Sequence, residues 1–255
     1  MVKPPAGPRP LKTLDRVLSK AGVGSRTEAR KWIAAGRVSV NGKIIRTPDH
    51  WVDLKKDRVA LDGKALRPPK RIYLLLYKPK GVVTTYKDPA GRRTVYDLMP
   101  DMDDWVFPVG RLDLDTSGLL LMTNDSQFAE RVTNPAGKVP KTYLVKAAGF
   151  LSEEELDRLR RGITLNDGPA RPAEVNRIRE AGGRTVFEIT ITEGRNRQVR
   201  RMVEALGSKV LKLVRTAIGP LRIGELEVGA YCCLTRSECL SLLRSGSRPG
   251  RSAVP

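Results

Sequence analysis

The stretch LRPPK, Leu66 to Lys70, sets the plan of this chain before any other feature does. Adjacent prolines remove two backbone donors and fix two φ angles, so no helix interior or central strand runs through them. The chain is therefore expected to fold as a small module, residues 11–65, a short stiff linker, residues 66–70, and a larger module, residues 71–243. The opening MVKPPAGPRP, residues 1–10, and the closing residues 244–255 lack periodicity and read as flexible tails. No internal repeat is visible.

In the small module, LDRVLSKAG reads as a short helix stopped at Gly22. GSRTEARKWIAAG reads as a second helix, with Ser25 and Glu28 spaced as a capping box and Gly36 as its stop. Ala29, Trp32 and Ile33 share one face of it, while Arg26 and Arg30 lie four apart on another. RVSVNGKII predicts a tight hairpin, because Asn41-Gly42 accepts positive φ and Val38, Val40 and Ile44 alternate around it.

The large module mixes element types. RIYLLLYK, GLLLMT and TVFEITITEG have strand patterning. SEEELDRLRRG is a helix with a second capping box, Ser152 and Glu155, ending at Gly162. RNRQVRRMVEALG places Val199, Met202, Val203 and Leu206 at helical spacing before Gly207. Strands and helices do not alternate regularly. The expected class is thus α+β on a mostly antiparallel mixed sheet rather than a doubly wound parallel one.

Charge narrows the partner. Lys and Arg number 47 against 28 acids, a formal charge of +19, and an excess of this size points to a polyanion. Aromatic residues make up only 5%, too few for a broad single-strand stacking platform. His50 is the only histidine, which removes Ser-His-Asp and Cys-His catalysis and every His-based metal site. Cys232, Cys233 and Cys239 form no C-x-x-C pair, so no zinc site is implied. Apolar runs are only a few residues long and the N-terminus has no apolar core, so the expectation is a cytoplasmic protein with no membrane partner. Any catalyst must come from carboxylates, Tyr, Lys or Arg.

GRLDLDTSGLLLMTND, Gly110 to Asp125, holds the most suggestive carboxylates, Asp113 and Asp115. DLDTS matches the D-x-D-x-T nucleophile loop of haloacid-dehalogenase-like phosphotransferases. That fold, however, needs a buried apolar strand before the first aspartate, and WVFPVGR is broken by Pro108, Gly110 and Arg111. A magnesium site would take most of its shell from water, with no nearby third ligand; Asp125 is better placed to cap the helix that begins SQFAERV. A purely structural turn is the remaining reading.

The residues also carry two resemblances. SKAGVGSRTEARKWIAAGRVSVNG, within Leu11 to Lys64, resembles the small S4-like (alpha-L) RNA-binding domain, which implies that Arg26, Arg30, Lys31 and Arg37 face RNA phosphates. GRLDLDTSGLLLMTND resembles the active-site motif of the pseudouridine synthases, in the ribosomal RNA branch that includes RsuA and RluB. LYKPKGVVTT, KTYLVKAAG and EGRNRQVRRMVEALG…LVRTAIGPL fit the same branch in order.

By that resemblance the catalytic aspartate is Asp113, and Asp115, Thr116, Ser117 and Gly118 support the turn. Tyr143 is implied to pack against the target base and Arg200 to form an ion pair with Asp113. Arg200 would sit at the edge of the apolar stripe, on a helix starting at Arg197, and reach inward. Arg111 is implied to enter the RNA where the base has left, with Arg197 and Arg201 turned outward to phosphates. The implied activity is conversion of a uridine in ribosomal RNA to pseudouridine after base flipping, with no cofactor and no metal, by a protein expected to be monomeric. EGRNRQVRRM looks more like the large-subunit branch, hence 23S RNA, acting on naked RNA or an assembling subunit. The rival from another class is a catalytically silent RNA-binding factor in ribosome assembly.

Overall fold

The computed structural model describes residues 11–53, 56–66, 70–180 and 182–246. The central prolines of the expected linker and most of both expected tails lie outside the described residues. The chain forms two compact units. One comprises the residues up to Ile72 together with Asp101–Val106 and Asn124–Ser126; the other comprises the remainder from Tyr73 onward.

The first unit is built on α1 (Leu14–Lys20), α2 (Arg26–Ala34) and a small sheet. The sheet runs in the order Lys43–Ile44, Val38–Val40, Val59–Leu61, Lys64–Ala65. Both helix signals hold. Ser25 Oγ accepts from the Glu28 amide while the Glu28 carboxylate accepts from the Ser25 amide, and Gly36 takes φ +74° just past the end of α2. Asn41 and Gly42 adopt φ +52° and +80°, the pair of positive values that a tight two-residue hairpin requires. Leu14, Leu18, Ala29, Ile33, Val38 and Val52 close the apolar core.

The core also buries one carboxylate. Asp15 accepts from Thr13 Oγ1 at 2.5 Å, from Arg26 at 2.8 Å and from Arg30 at 3.0 Å. Burial alone would push its carboxyl up, but these hydrogen bonds and the Arg26 charge outweigh it and hold it at about 2. Because the folded value lies below the unfolded one, Asp15 adds stability above pH ~4, and that contribution is lost as pH falls from ~4 to ~2. Thermal melts across that window should show it, and Asp15→Asn should remove that part of the acid sensitivity.

The second unit is organised on one sheet, whose strands are numbered here in chain order: β1 (Tyr73–Lys78), β2 (Ser117–Thr123), β3 (Lys141–Ala148), β4 (Glu174–Glu180), β5 (Arg184–Ile191), β6 (Val210–Ile218) and β7 (Tyr231–Cys233). The spatial order is β4-β5-β3-β6-β2-β1-β7, and two short strands, Phe107–Pro108 and Leu221–Arg222, attach to β2 and β6. Every neighbouring pair is antiparallel except β6 with β2, which run parallel. The sheet is the mostly antiparallel mixed sheet expected of an α+β domain.

Two apolar clusters flank that parallel seam. β3, β5 and β6 contribute Val145, Phe187, Ile189 and Leu213 to one, against Leu156 and Leu159 of α4 (Glu153–Arg161) and Val199, Met202 and Val203 of α5 (Gln198–Glu204). β1 and β2 contribute Leu75, Leu119 and Leu121 to the other, against Phe128 and Val132 of α3 (Ser126–Thr133) and Leu242 of α6 (Arg236–Ser245). Each fully buried leucine side chain stabilises its cluster by roughly 1.5–3 kcal/mol relative to exposure. Asp125 directly precedes α3, and its carboxylate pairs with Arg71 at 2.9 Å.

Candidate active site

The aspartate turn enters the sheet at the seam. Gly118 lies opposite Arg215 in the β2–β6 register, so close that a Cβ on residue 118 would sit 2.3 Å from the Arg215 carbonyl oxygen. Only glycine permits that approach, at φ +113°. Before the strand, the Thr116 amide donates to the Asp113 carbonyl at 3.1 Å and closes a turn over Leu114 and Asp115.

The segment after β1 grips this turn on both sides of Asp113. Thr84 Oγ1 donates to the Leu112 carbonyl at 2.8 Å and accepts from the Leu112 amide at 3.3 Å. The Gly81 amide donates to the Leu114 carbonyl at 2.8 Å. Lys78 staples the segment from within: its fully buried ammonium donates to the carbonyls of Pro79 at 2.9 Å and Val82 at 2.7 Å. Burial pulls that ammonium down to about 8, against the opposing pull of the Asp113 and Asp115 charges.

Beside the turn opens a cleft of about 390 Å³, within the size range of small-ligand sites. Among the described residues Asp113 is the one acidic side chain in its lining, which also includes Arg111, Lys141, Arg195, Arg197 and Arg215. Tyr143 lines it from β3, where it pairs with Arg215 of β6 and packs on the neighbouring apolar cluster. Burial, then the Arg215 charge, pull the Lys141 ammonium down to about 8. Arg215 is buried; its Nε donates to the Leu119 carbonyl at 2.7 Å, and one of its terminal nitrogens has no hydrogen-bond partner among the described residues.

The implied ion pair between Arg200 and Asp113 is not what the structure shows. Arg200 reaches inward from α5 and is buried, in keeping with a place at the edge of the apolar stripe, but it meets the turn beyond Asp113. It donates to the Asp115 carbonyl at 3.0 Å and to Thr116 Oγ1 at 3.4 Å, pairs with the Asp115 carboxylate at 3.1 Å, and reaches the Val210 carbonyl at 3.4 Å. Asp113 makes no ion pair within 4 Å among the described residues. The reason is the turn itself, which rotates Asp115 toward α5 and Asp113 into the cleft. Asp115, Ser117, Gly118, Arg200 and Arg201 lie outside the cleft lining, whereas Arg111, Asp113, Thr116, Tyr143 and Arg197 belong to it.

Two other expectations change in detail. α5 begins at Gln198, and Arg197 precedes it in the left-handed region at φ +47°. Arg201, expected to point outward, is held by Asp167 at 2.8 and 3.1 Å and by the Asn196 carbonyl at 2.9 Å. In the first unit Arg26 and Arg30 are tied to Asp15 and Arg37 to Asp62 at 2.5 Å, though all three remain about half exposed. Lys31 is exposed. Sequence reasoning missed Lys78, Thr84, Lys141 and Arg215. The available signals were a lysine closing the apolar run YLLLYK and an arginine inside the apolar strand KLVRTAI.

Comparison with known proteins shows the family. The family model described as RNA pseudouridylate synthase matches residues 72–205, and the S4 domain model matches residues 12–59. The chain belongs to the RNA pseudouridylate synthase family. It is 41% identical to an uncharacterized RNA pseudouridine synthase of Aquifex aeolicus (strain VF5), over 91% of this chain and 94% of that protein. It is 38% identical to the ribosomal large subunit pseudouridine synthase B of Bacillus subtilis (strain 168), over 95% of this chain and all of that one. A crystal structure of a pseudouridylate synthase superposes with a TM-score of 0.63 at 33% identity, covering 90% of this chain and 99% of that one. No helix among the described residues is long and apolar enough to cross a membrane, and no cluster of three or more His, Cys, Asp or Glu there could hold a metal.

Proposed function

We propose that this synthase isomerises a uridine of ribosomal RNA, in the large-subunit 23S molecule, with Asp113 as the acting carboxylate. The observation that carries the reading is that, among the described residues, a single acid shares the cleft lining with five cationic side chains and the ring of Tyr143. Such a lining suits a nucleotide, whose phosphates need cations and whose glycosidic carbon needs one carboxylate.

The reaction breaks the bond from C1′ to N1 of uracil, turns the base over and joins C1′ to C5. N1 gains a proton and C5 loses one, so the product is an isomer and no redox partner enters the balance. Extruding the base costs a few kcal/mol, which the pocket contacts offset. Tyr143 offers the base a flat face, Arg111, an exposed residue of the lining, enters the gap left in the RNA, and Asp113 acts at the sugar and base. Arg200 acts on the turn rather than on Asp113: its contacts with Asp115 and Thr116 hold the segment that presents the carboxylate. Arg197 belongs to the cleft lining, whereas Arg201 lies outside it, held by Asp167.

The S4 module, residues 11–65, orients the catalytic module, residues 71–243, through Arg26, Arg30, Lys31 and Arg37, in a monomer working in the cytoplasm on RNA or an assembling subunit. The large-subunit assignment is supported by EGRNRQVRRM and by the name of the Bacillus relative. Incubation with unmodified 23S and 16S transcripts, followed by mapping of pseudouridine, tests it. Modification confined to 23S RNA is expected. Modification of 16S RNA alone overturns the large-subunit assignment, and tight binding without modification of either RNA or precursor particles favours the silent assembly factor. RNA binding should weaken steeply with salt, since each phosphate contact releases counterions; a flat response would argue against RNA.

A further inference from the structure

Asp115 carries two arginines, and they are held very differently. Arg200, with 7% of its side chain exposed, contacts the Asp115 carboxylate, the Asp115 carbonyl, Thr116 and Val210. Arg197, 43% exposed, reaches the same carboxylate with a single 3.4 Å contact. That carboxylate is itself 38% exposed. Its one negative charge is already matched by the buried Arg200, so Arg197 can leave without stranding it.

The neighbouring arginines have no such freedom. Arg195 is tied to the carbonyls of Gly168 at 3.0 Å and Pro169 at 2.6 Å, and pairs with Asp167 and Glu193. Arg201 is gripped at both ends of its guanidinium by Asp167. Arg197 alone among them combines cleft lining, exposure and a loose partner. Its backbone sits at φ +47°, a conformation uncommon for a residue with a Cβ.

We propose that Asp115 is a placeholder for an RNA phosphate. In the free protein it holds Arg197 against the catalytic turn; when RNA enters the cleft, Arg197 moves to a backbone phosphate and Asp115 stays paired with Arg200. This rests on the assignment of RNA as substrate, and it makes Asp115 a positioning residue that competes with substrate for one cation.

The competition gives a double-mutant cycle. Binding of unmodified 23S transcript is measured against potassium chloride concentration on the Asp113→Asn protein, which allows no turnover, with Asp115→Asn, Arg197→Gln and both added. Asparagine at 115 keeps the backbone carbonyl that Arg200 holds, so the turn retains its support. Asp115→Asn should tighten binding by about 2- to 5-fold, the range of a loose exposed ion pair. Arg197→Gln should weaken it and lower the slope of log K against log salt by about one phosphate contact. With Arg197→Gln present, Asp115→Asn should no longer tighten binding.

Equal tightening in both backgrounds would mean a general charge effect and overturn the proposal. So would weaker binding by Asp115→Asn in both, or an unchanged salt slope in Arg197→Gln. Arg197→Lys, which restores the cation, should restore the slope; an unrestored slope would overturn the phosphate contact on which the proposal rests, even if the Asp115 variant folds poorly. Loss of salt dependence in all four proteins would instead remove RNA as the substrate.

Discussion

Asp113→Asn is expected to lower pseudouridine formation by at least about 10³-fold, the scale seen when a reacting side chain is removed, while leaving the fold in place. The side chains are nearly the same size, and the turn depends on the Asp113 carbonyl, which accepts from Thr116, not on its carboxylate. Among the described residues no ion pair within 4 Å is lost on substitution. The stability change should therefore stay within about 0.5 kcal/mol, as for substitutions that break no buried contact. RNA affinity should hold or rise, because one negative charge disappears from among five cations. Single-turnover formation of pseudouridine, a thermal melt and an RNA titration on the same preparation check the three parts. A variant that is both inactive and unfolded would show that the carboxylate is structural.

Gly118→Ala should have the largest effect on the fold. An alanine Cβ there would lie 2.3, 2.5 and 2.9 Å from the oxygen, nitrogen and carbon of the Arg215 backbone, none of which can swing aside as a side-chain end can. The backbone angle of +113° adds its own strain. Relief requires β2 and β6 to part at their parallel pairing, between strands that feed both apolar clusters. A loss of more than about 4 kcal/mol is expected, at the severe end for single substitutions. Gly81→Ala is the control, since its φ of +86° carries strain but a Cβ there meets nothing within 4 Å. It should cost about 1 kcal/mol or somewhat more. Urea unfolding of both variants separates steric clash from backbone strain; equal losses would mean the close approach at the seam does not matter.

What the sequence made legible was local. Ser25 with Glu28 and Ser152 with Glu155 are read three residues apart, and both form the capping boxes that their spacing predicts. Asn41-Gly42 needs only its own dihedral preferences to specify a hairpin. The irregular order of strands and helices likewise pointed to a mostly antiparallel sheet. The partner of Arg200 was not legible, because it depends on how residues 113–116 rotate as they enter β2, against a helix more than eighty residues away. Lys78 and Arg215 looked like ordinary strand residues for the same reason. Their burial follows from the pairing of β1 and β6 with β2, which no window of sequence contains. Of the site, the turn and Tyr143 could be placed by resemblance. The cations that surround Asp113, and the division of labour between the two aspartates, required the fold.

The most direct test of the central claim is tritium release from ribosomal RNA labelled at C5 of uridine, for the wild type, Asp113→Asn and Asp115→Asn. Release by the wild type and by Asp115→Asn, with none from Asp113→Asn, is the predicted result. It would match a cleft that contains Asp113 and a turn that points Asp115 toward Arg200. Release by Asp113→Asn, or its loss only in Asp115→Asn, would contradict the assignment and move the chemistry to the other carboxylate.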